Sequence, residues 1–309
     1  MDPLQFFAAS RLLVVAGKGG VGKTTVTAVL ARAAAESGLR VLVIDVEGKA
    51  GLAGLLGGGP DDVLPYDETV LGNGLGPQGT GRISGRTITA GRALIEYLDD
   101  HGLRRVSKRL ADTGVLDIVS TAAPGIEDIL VLGKVKQLER GGDADLIVLD
   151  GPAAGHAISF LESANALLDA VKVGPIQAQA TDVIEMLSDP RRCQVMLVTL
   201  PEETPVNELI ETSFALEDRI GVALAPVVVN GVYARRDLDP STTDDPDLRA
   251  AAQFRQERCS AQAVQLQRLA DGLPLPQIVL PFVFAAGLRP DDAAAMVPLF
   301  LDAVRAVPA

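Results

Sequence analysis

The sequence predicts an α/β fold built on a mostly parallel, doubly wound sheet, and three observations carry that expectation. Apolar runs recur at 12–16, 41–45, 115–119, 146–150, 195–198, 225–229 and 276–280, without the polar alternation of a half-exposed strand. Stretches with helical spacing lie between them, so strand follows helix follows strand, the signature of right-handed βαβ crossovers. The first two runs are joined by a glycine-rich turn and one helical pattern, 24–37, which Gly38 closes. A sheet of about seven strands follows, with ligands expected at the carboxyl ends of its strands.

The remaining segments fill in around that sheet. Residues 57–90 carry repeated glycines with polar neighbours and predict a long loop, of a length that is usually mobile or functional. Patterns at 89–110, 125–138 and 159–187 are helices beyond what crossovers need. They predict a helical subdomain from about 84–140 and 159–188 within one domain spanning 1–309. The polar break 235–247 is expected to be a surface loop, because an apolar run that still needs a sheet follows it.

Composition limits the function classes. With 48% hydrophobic residues over 309 positions the chain can bury a large core. A net charge of −12 disfavours nucleic acid, whose affinity rests on neutralising phosphates; the one basic stretch, 104–109, predicts a solvated helix face. No apolar run is long enough to span a bilayer and residues 1–10 lack a signal-type pattern, so a cytoplasmic protein without stable membrane insertion is expected. Cys193 and Cys259 form no C-x-x-C pair and predict neither a disulfide framework nor a zinc site.

The chemistry concentrates in residues 17–25, GKGGVGKTT, which match G-x-x-x-x-G-K-[ST] between a strand and a helix. Gly17, Gly19, Gly20 and Gly22 let successive backbone N–H groups, Val21 included, face one anion, and the positive end of the following helix points there too. Lys23 is then placed for β and γ phosphates, the Thr24 hydroxyl for Mg²⁺, and Thr25 continues the cradle into the helix. ATP with Mg²⁺ is the cofactor expected. Asp150, ending the apolar run 146–149, can hold Mg²⁺ or cap a following helix; beside a phosphate loop the metal role is favoured.

Lys18 makes the loop the deviant form G-K-G-G-x-G-K-T-T, and the string resembles the ATPase family that includes the arsenite pump, tail-anchored-protein targeting and partitioning ATPases. The resemblance implies a phosphate-loop ATPase of the deviant class, working as a dimer in which each Lys18 reaches the partner's nucleotide. The segment 150–161, DGPAAGHAISFL, is similar to the second switch of the arsenite-pump and targeting branch, which implies switch roles for Asp150, Gly155 and His156, with Pro152 one place early. APGIED at 123–128 and VVVN at 227–230 are similar to the same branch. Asn230 is thereby implied as reader of the adenine edge, or else it is a turn residue at a strand end; Pro281 and Phe282 are implied as a closure over the purine.

One departure concerns turnover. Aligned on the run 41–44, Gly54 stands where the resemblance implies a water-positioning aspartate, leaving Asp45 and Glu47, with Lys18 and Lys23, as the catalytic candidates. The resulting expectation is an ATP-binding, ATP-hydrolysing dimeric switch, a homodimer or a heterodimer with a related ATPase, that grips a client or a membrane-protein partner in one nucleotide state. The alternative is a nucleotide-sensing subunit with little turnover of its own, which pairs with a related chain.

Overall fold

The structure, a computed structural model, describes all residues except 47, 49, 60, 101, 114–124, 171–174, 237, 240, 242–243 and 309. Its strands are β1 (Leu12–Gly17), β2 (Arg40–Asp45), β3 (Thr69–Leu75), β4 (Gly81–Thr87), β5 (Leu146–Ala153), β6 (Cys193–Thr199), β7 (Ala223–Leu224), β8 (Val227–Val232) and β9 (Gln277–Pro281). They form one sheet in the order β3-β4-β2-β5-β1-β6-β8-β9, with β7 paired to β6. Every pairing is parallel except β3 with β4. The continuous apolar runs have the reason the sequence suggested: β1 is buried along its whole length because helices cover both faces.

One helical layer comprises α1 (Pro3–Phe7), α2 (Lys23–Glu36), α3 (Leu52–Leu55) and the last helix of the chain, Pro290–Ala306. Their apolar sides meet Leu13, Val15, Val41, Val43 and Ile278 from one face of the sheet. The other layer comprises α4 (Ala90–Asp100), α5 (Arg104–Thr113), α6 (Ile126–Gly141), α7 (Ala154–Ala170), α8 (Pro175–Ser188) and α9 (Glu203–Ala215), which ends in a π-helical turn, Leu216–Ile220. Ile129, Leu132, Leu161 and Met186 of this layer pack on Leu12, Val14, Ile44 and Leu149. A 27-residue helix, α10 (Pro246–Gly272), precedes β9, and α11 (Pro290–Ala306) is the closing helix named above. α4 packs on α5 and α6, and α6 on α7 and α8.

Several sequence expectations change. Residues 57–90 are not one long loop. Their second half is the β3–β4 hairpin, which extends the sheet by two strands. Glycine was misleading there because it serves close packing: a Cβ on Gly81 would lie 1.8 Å from the carbonyl oxygen of Ala35, so only glycine lets β4 start against the end of α2. The helical contribution therefore begins at 90, not 84. Pattern 89–110 is two helices separated around Gly102, and 159–187 is two helices, the first of which starts at Ala154. The run at 115–119 lies outside the described residues. β7, two residues long, is too short to leave a sequence signature.

Candidate nucleotide site

The site gathers at the carboxyl ends of β1, β2 and β5, where the sheet's connections leave room between adjacent strands. β1 ends at Gly17, the loop runs to Gly22, and Lys23 opens α2. No side-chain cap closes that helix N-terminus, so its free N–H groups face the loop. The loop is open to solvent at Gly19 and Gly20, where an added Cβ would meet no atom within 4 Å, so its backbone is accessible to an anion. Gly22 is fixed for two reasons. Its φ is +90°, and a Cβ there would lie 2.3 Å from the Asn230 amide nitrogen.

The metal candidates converge. Asp45 and Asp150 are register partners on the neighbouring strands β2 and β5, and both are buried. The Thr24 hydroxyl donates to Asp150 Oδ2 at 2.8 Å, and the Thr27 hydroxyl donates to Oδ1 at 3.2 Å. Burial, reinforced by the nearby charge of Asp45, pushes the Asp150 carboxyl up to about 6, against the pull of Thr24, Thr27 and Lys23. Two buried carboxylates on neighbouring strands, next to a threonine hydroxyl, are a hard-oxygen donor set that fits Mg²⁺. Asp150 does not cap a helix, because β5 continues past it to Ala153.

Lys23 Nζ donates to the carbonyl of Lys18 at 3.4 Å, lying back over the loop that surrounds the open cradle. Lys18 forms an ion pair with Glu208 of its own chain, 2.5 Å from Nζ to Oε1. Asn230 is within β8 rather than at its end, and its amide donates to the Val21 carbonyl at 2.9 Å, so it ties the sheet to the phosphate loop. Phe282 follows β9 and stacks on Tyr233 with ring centroids 4.7 Å apart. Phe284 meets both rings edge-on and is 68% exposed. Pro281 closes β9 opposite Val232.

Gly155 and His156 lie in the first turn of α7, both exposed. His156 lines a cavity of about 440 Å³ with Val46 from the exit of β2, Pro152 from β5, and Glu127 and Asp128 from the start of α6. Burial raises the Asp128 carboxyl above its usual range, Glu127 adds to this, and His156 opposes it. Gly54 is buried in α3. Glu47 lies outside the described residues. The basic stretch 104–109 is in α5, with Arg104, Arg105, Lys108 and Arg109 at its surface.

Sequence reasoning missed Thr27, Glu208 and Tyr233. Thr27 was within reach, since it stands three positions after Thr24 and therefore on the same helix face. Glu208 and Tyr233 meet the site through tertiary packing, and nothing local marks them.

A glycine cradle at a helix N-terminus, with a lysine within it and a threonine-aspartate pair beside it, defines a phosphate-loop nucleotide-binding protein. The family described as the CobQ/CobB/MinD/ParA nucleotide binding domain matches residues 12–237, and the chain belongs to it. Among curated relatives, ATPase BagA of Mycobacterium tuberculosis is 33% identical over 273 residues, covering 86% of this chain and 75% of that protein. An arsenical pump-driving ATPase of Escherichia coli is 28% identical, over 83% of this chain and 39% of that protein. ATPase ARSA1 of Chlamydomonas reinhardtii is 25% identical, over 78% and 37%. The chain thus spans well under half of the arsenical-pump relatives it matches. No helix among the described residues is long and apolar enough to cross a membrane.

Proposed function

We propose that the chain is an ATP-hydrolysing switch that works as a dimer and couples its nucleotide state to the grip on a client. The observation that carries this is the convergence of buried Asp45 and Asp150 and the Thr24 hydroxyl, a hard-oxygen donor set, beside the glycine loop at the start of α2. Thr24 and Asp150, with Asp45 behind them, would hold Mg²⁺, which supplies charge neutralisation at the phosphates. Lys23 would bind the β and γ phosphates. Lys18 of a partner copy would stabilise charge on the transferred phosphoryl group. Asp45 or Glu47 would orient the attacking water in place of the carboxylate absent at Gly54. Phe282, on the Tyr233 ring, offers a stacking face to a base, and Asn230 holds the loop from below.

The second reading, a sensing subunit with little turnover, is favoured by Gly54 alone. Metalloid handling finds little support in the thiols. Cys193 is fully buried and burial pushes its thiol up to about 12, and Cys259 has no second accessible thiol to act with.

His156 and the cavity it lines connect the strand ends that bear Asp45 and Asp150 to the first turn of α6, so a change at the phosphates would pass into the helical layer. Measuring ATP turnover with Mg²⁺ by the purified chain and by Lys18→Ala tests the reading. Turnover by the chain that is lost in the variant supports it. Tight ATP binding without turnover would replace it with the sensing subunit.

A further inference from the structure

The Lys18–Glu208 pair lies within one chain, whereas the proposed function sends Lys18 across to a partner. Glu208 sits on α9, which follows β6, the neighbour of the strand that enters the phosphate loop. The other acids at the start of α9 face away and are engaged elsewhere: Glu202 pairs with Arg258 at 3.0 Å and Glu203 with Arg268 at 3.6 Å, both on α10. Glu208 alone of these acids is paired with the loop. Lys18 is also held at its backbone, since its carbonyl accepts from Lys23 Nζ.

We infer that Glu208 is a positioning residue that keeps Lys18 folded onto its own chain until nucleotide and a partner copy compete for it. This rests on the dimeric reading above. In the single chain both ends of Lys18 are occupied, the ammonium by Glu208 and the carbonyl by Lys23. When Lys23 turns to a bound phosphate, it gives up the Lys18 carbonyl and Lys18 loses one of these two contacts. The second contact, the ion pair, is 38% and 40% exposed at its two side chains, so it is breakable and screened by salt. Forming the dimer would break it twice. A partly exposed pair is worth a factor of about 1.4 to five, so removing both tightens the dimer about two- to twenty-five-fold.

Sedimentation of the full chain with Mg²⁺ and a slowly hydrolysed ATP analogue measures the dimer dissociation constant. Four proteins are compared: wild type, Glu208→Gln, Lys18→Ala and the double variant. Glu208→Asp, which keeps the charge, serves as the conservative check.

The expected result is a dissociation constant about two- to twenty-five-fold lower for Glu208→Gln, with the difference shrinking as salt rises. Glu208→Asp moves back toward wild type, and Glu208→Gln has no effect in the Lys18→Ala background. An unchanged constant, or the same shift with and without Lys18, overturns the inference while leaving the dimer intact. A wild type that stays monomeric at every concentration overturns the dimeric reading instead, and this inference with it.

Discussion

Replacing Gly22 with alanine perturbs the phosphate loop through two costs that can be worked separately. The new Cβ must adopt φ +90°, a left-handed conformation that costs a non-glycine residue about 1–2 kcal/mol. It must also displace the Asn230 amide, which would stand 2.3 Å away, and that breaks the 2.9 Å hydrogen bond from Asn230 to the Val21 carbonyl, worth about 1 kcal/mol. Gly22→Ala should therefore lower stability in urea by about 2–3 kcal/mol. It should also weaken ATP binding in calorimetry by about tenfold or more, because the cradle is distorted as well as loosened. The second cost is the loss of the Asn230 hydrogen bond, so the substitutions Gly22→Ala and Asn230→Ala are not independent. Asn230→Ala alone should cost about 1 kcal/mol, and the double variant should be about 1 kcal/mol less unstable than the sum of the two singles. Strict additivity would refute the reasoning, since it would mean that Asn230 does not hold the loop through this contact.

Two further outcomes follow from the buried groups. Asp150 has a folded-state value of about 6 against an ordinary 3.8, so its ionised form opposes folding above pH 6, by about 3 kcal/mol, and the penalty fades as pH falls toward 4. Asp150→Asn should accordingly raise the urea midpoint of the Mg²⁺-free chain at pH 8 far more than at pH 4.5, while abolishing the gain that the wild type draws from Mg²⁺ and ATP; the same change in midpoint at both pH values would contradict this. A thiol reagent at pH 8 should label Cys259 in the native chain and reach Cys193 only on unfolding, as mass spectrometry of the labelled peptides would show; prompt labelling of Cys193 would contradict its burial.

The parts of the site that lie in one continuous segment were legible in the sequence. The loop 17–25 carries its own geometry, because glycine spacing and a following helix suffice to build a cradle. Asp150 was legible as the polar end of a buried run. Pairing between distant segments was not. That Asp45 sits opposite Asp150 depends on β2 lying beside β5, and that Glu208 reaches Lys18 depends on α9 returning over β6. Asn230 illustrates the limit most sharply. Its place on β8 followed from the apolar run before it, yet its partner is a backbone carbonyl 209 positions away. In the fold, the β3–β4 hairpin was hidden because its glycines, needed for contact with α2, also resemble a loop. Val70-Leu71 and the isolated Ile83 offered no apolar run long enough to outweigh them.

Active-site complementation tests most directly whether Lys18 serves the site of a partner copy. Lys23→Ala should lose its own ATP binding yet keep Lys18, while Lys18→Ala should bind ATP yet lack the crossing lysine; neither should turn over ATP alone. Mixed in equal amounts, half of the dimers contain one of each, and one of the two sites in such a dimer is complete, so activity should return to about a quarter of wild type. A mixture as inactive as its components would contradict the account, because it would mean that Lys18 works within its own chain.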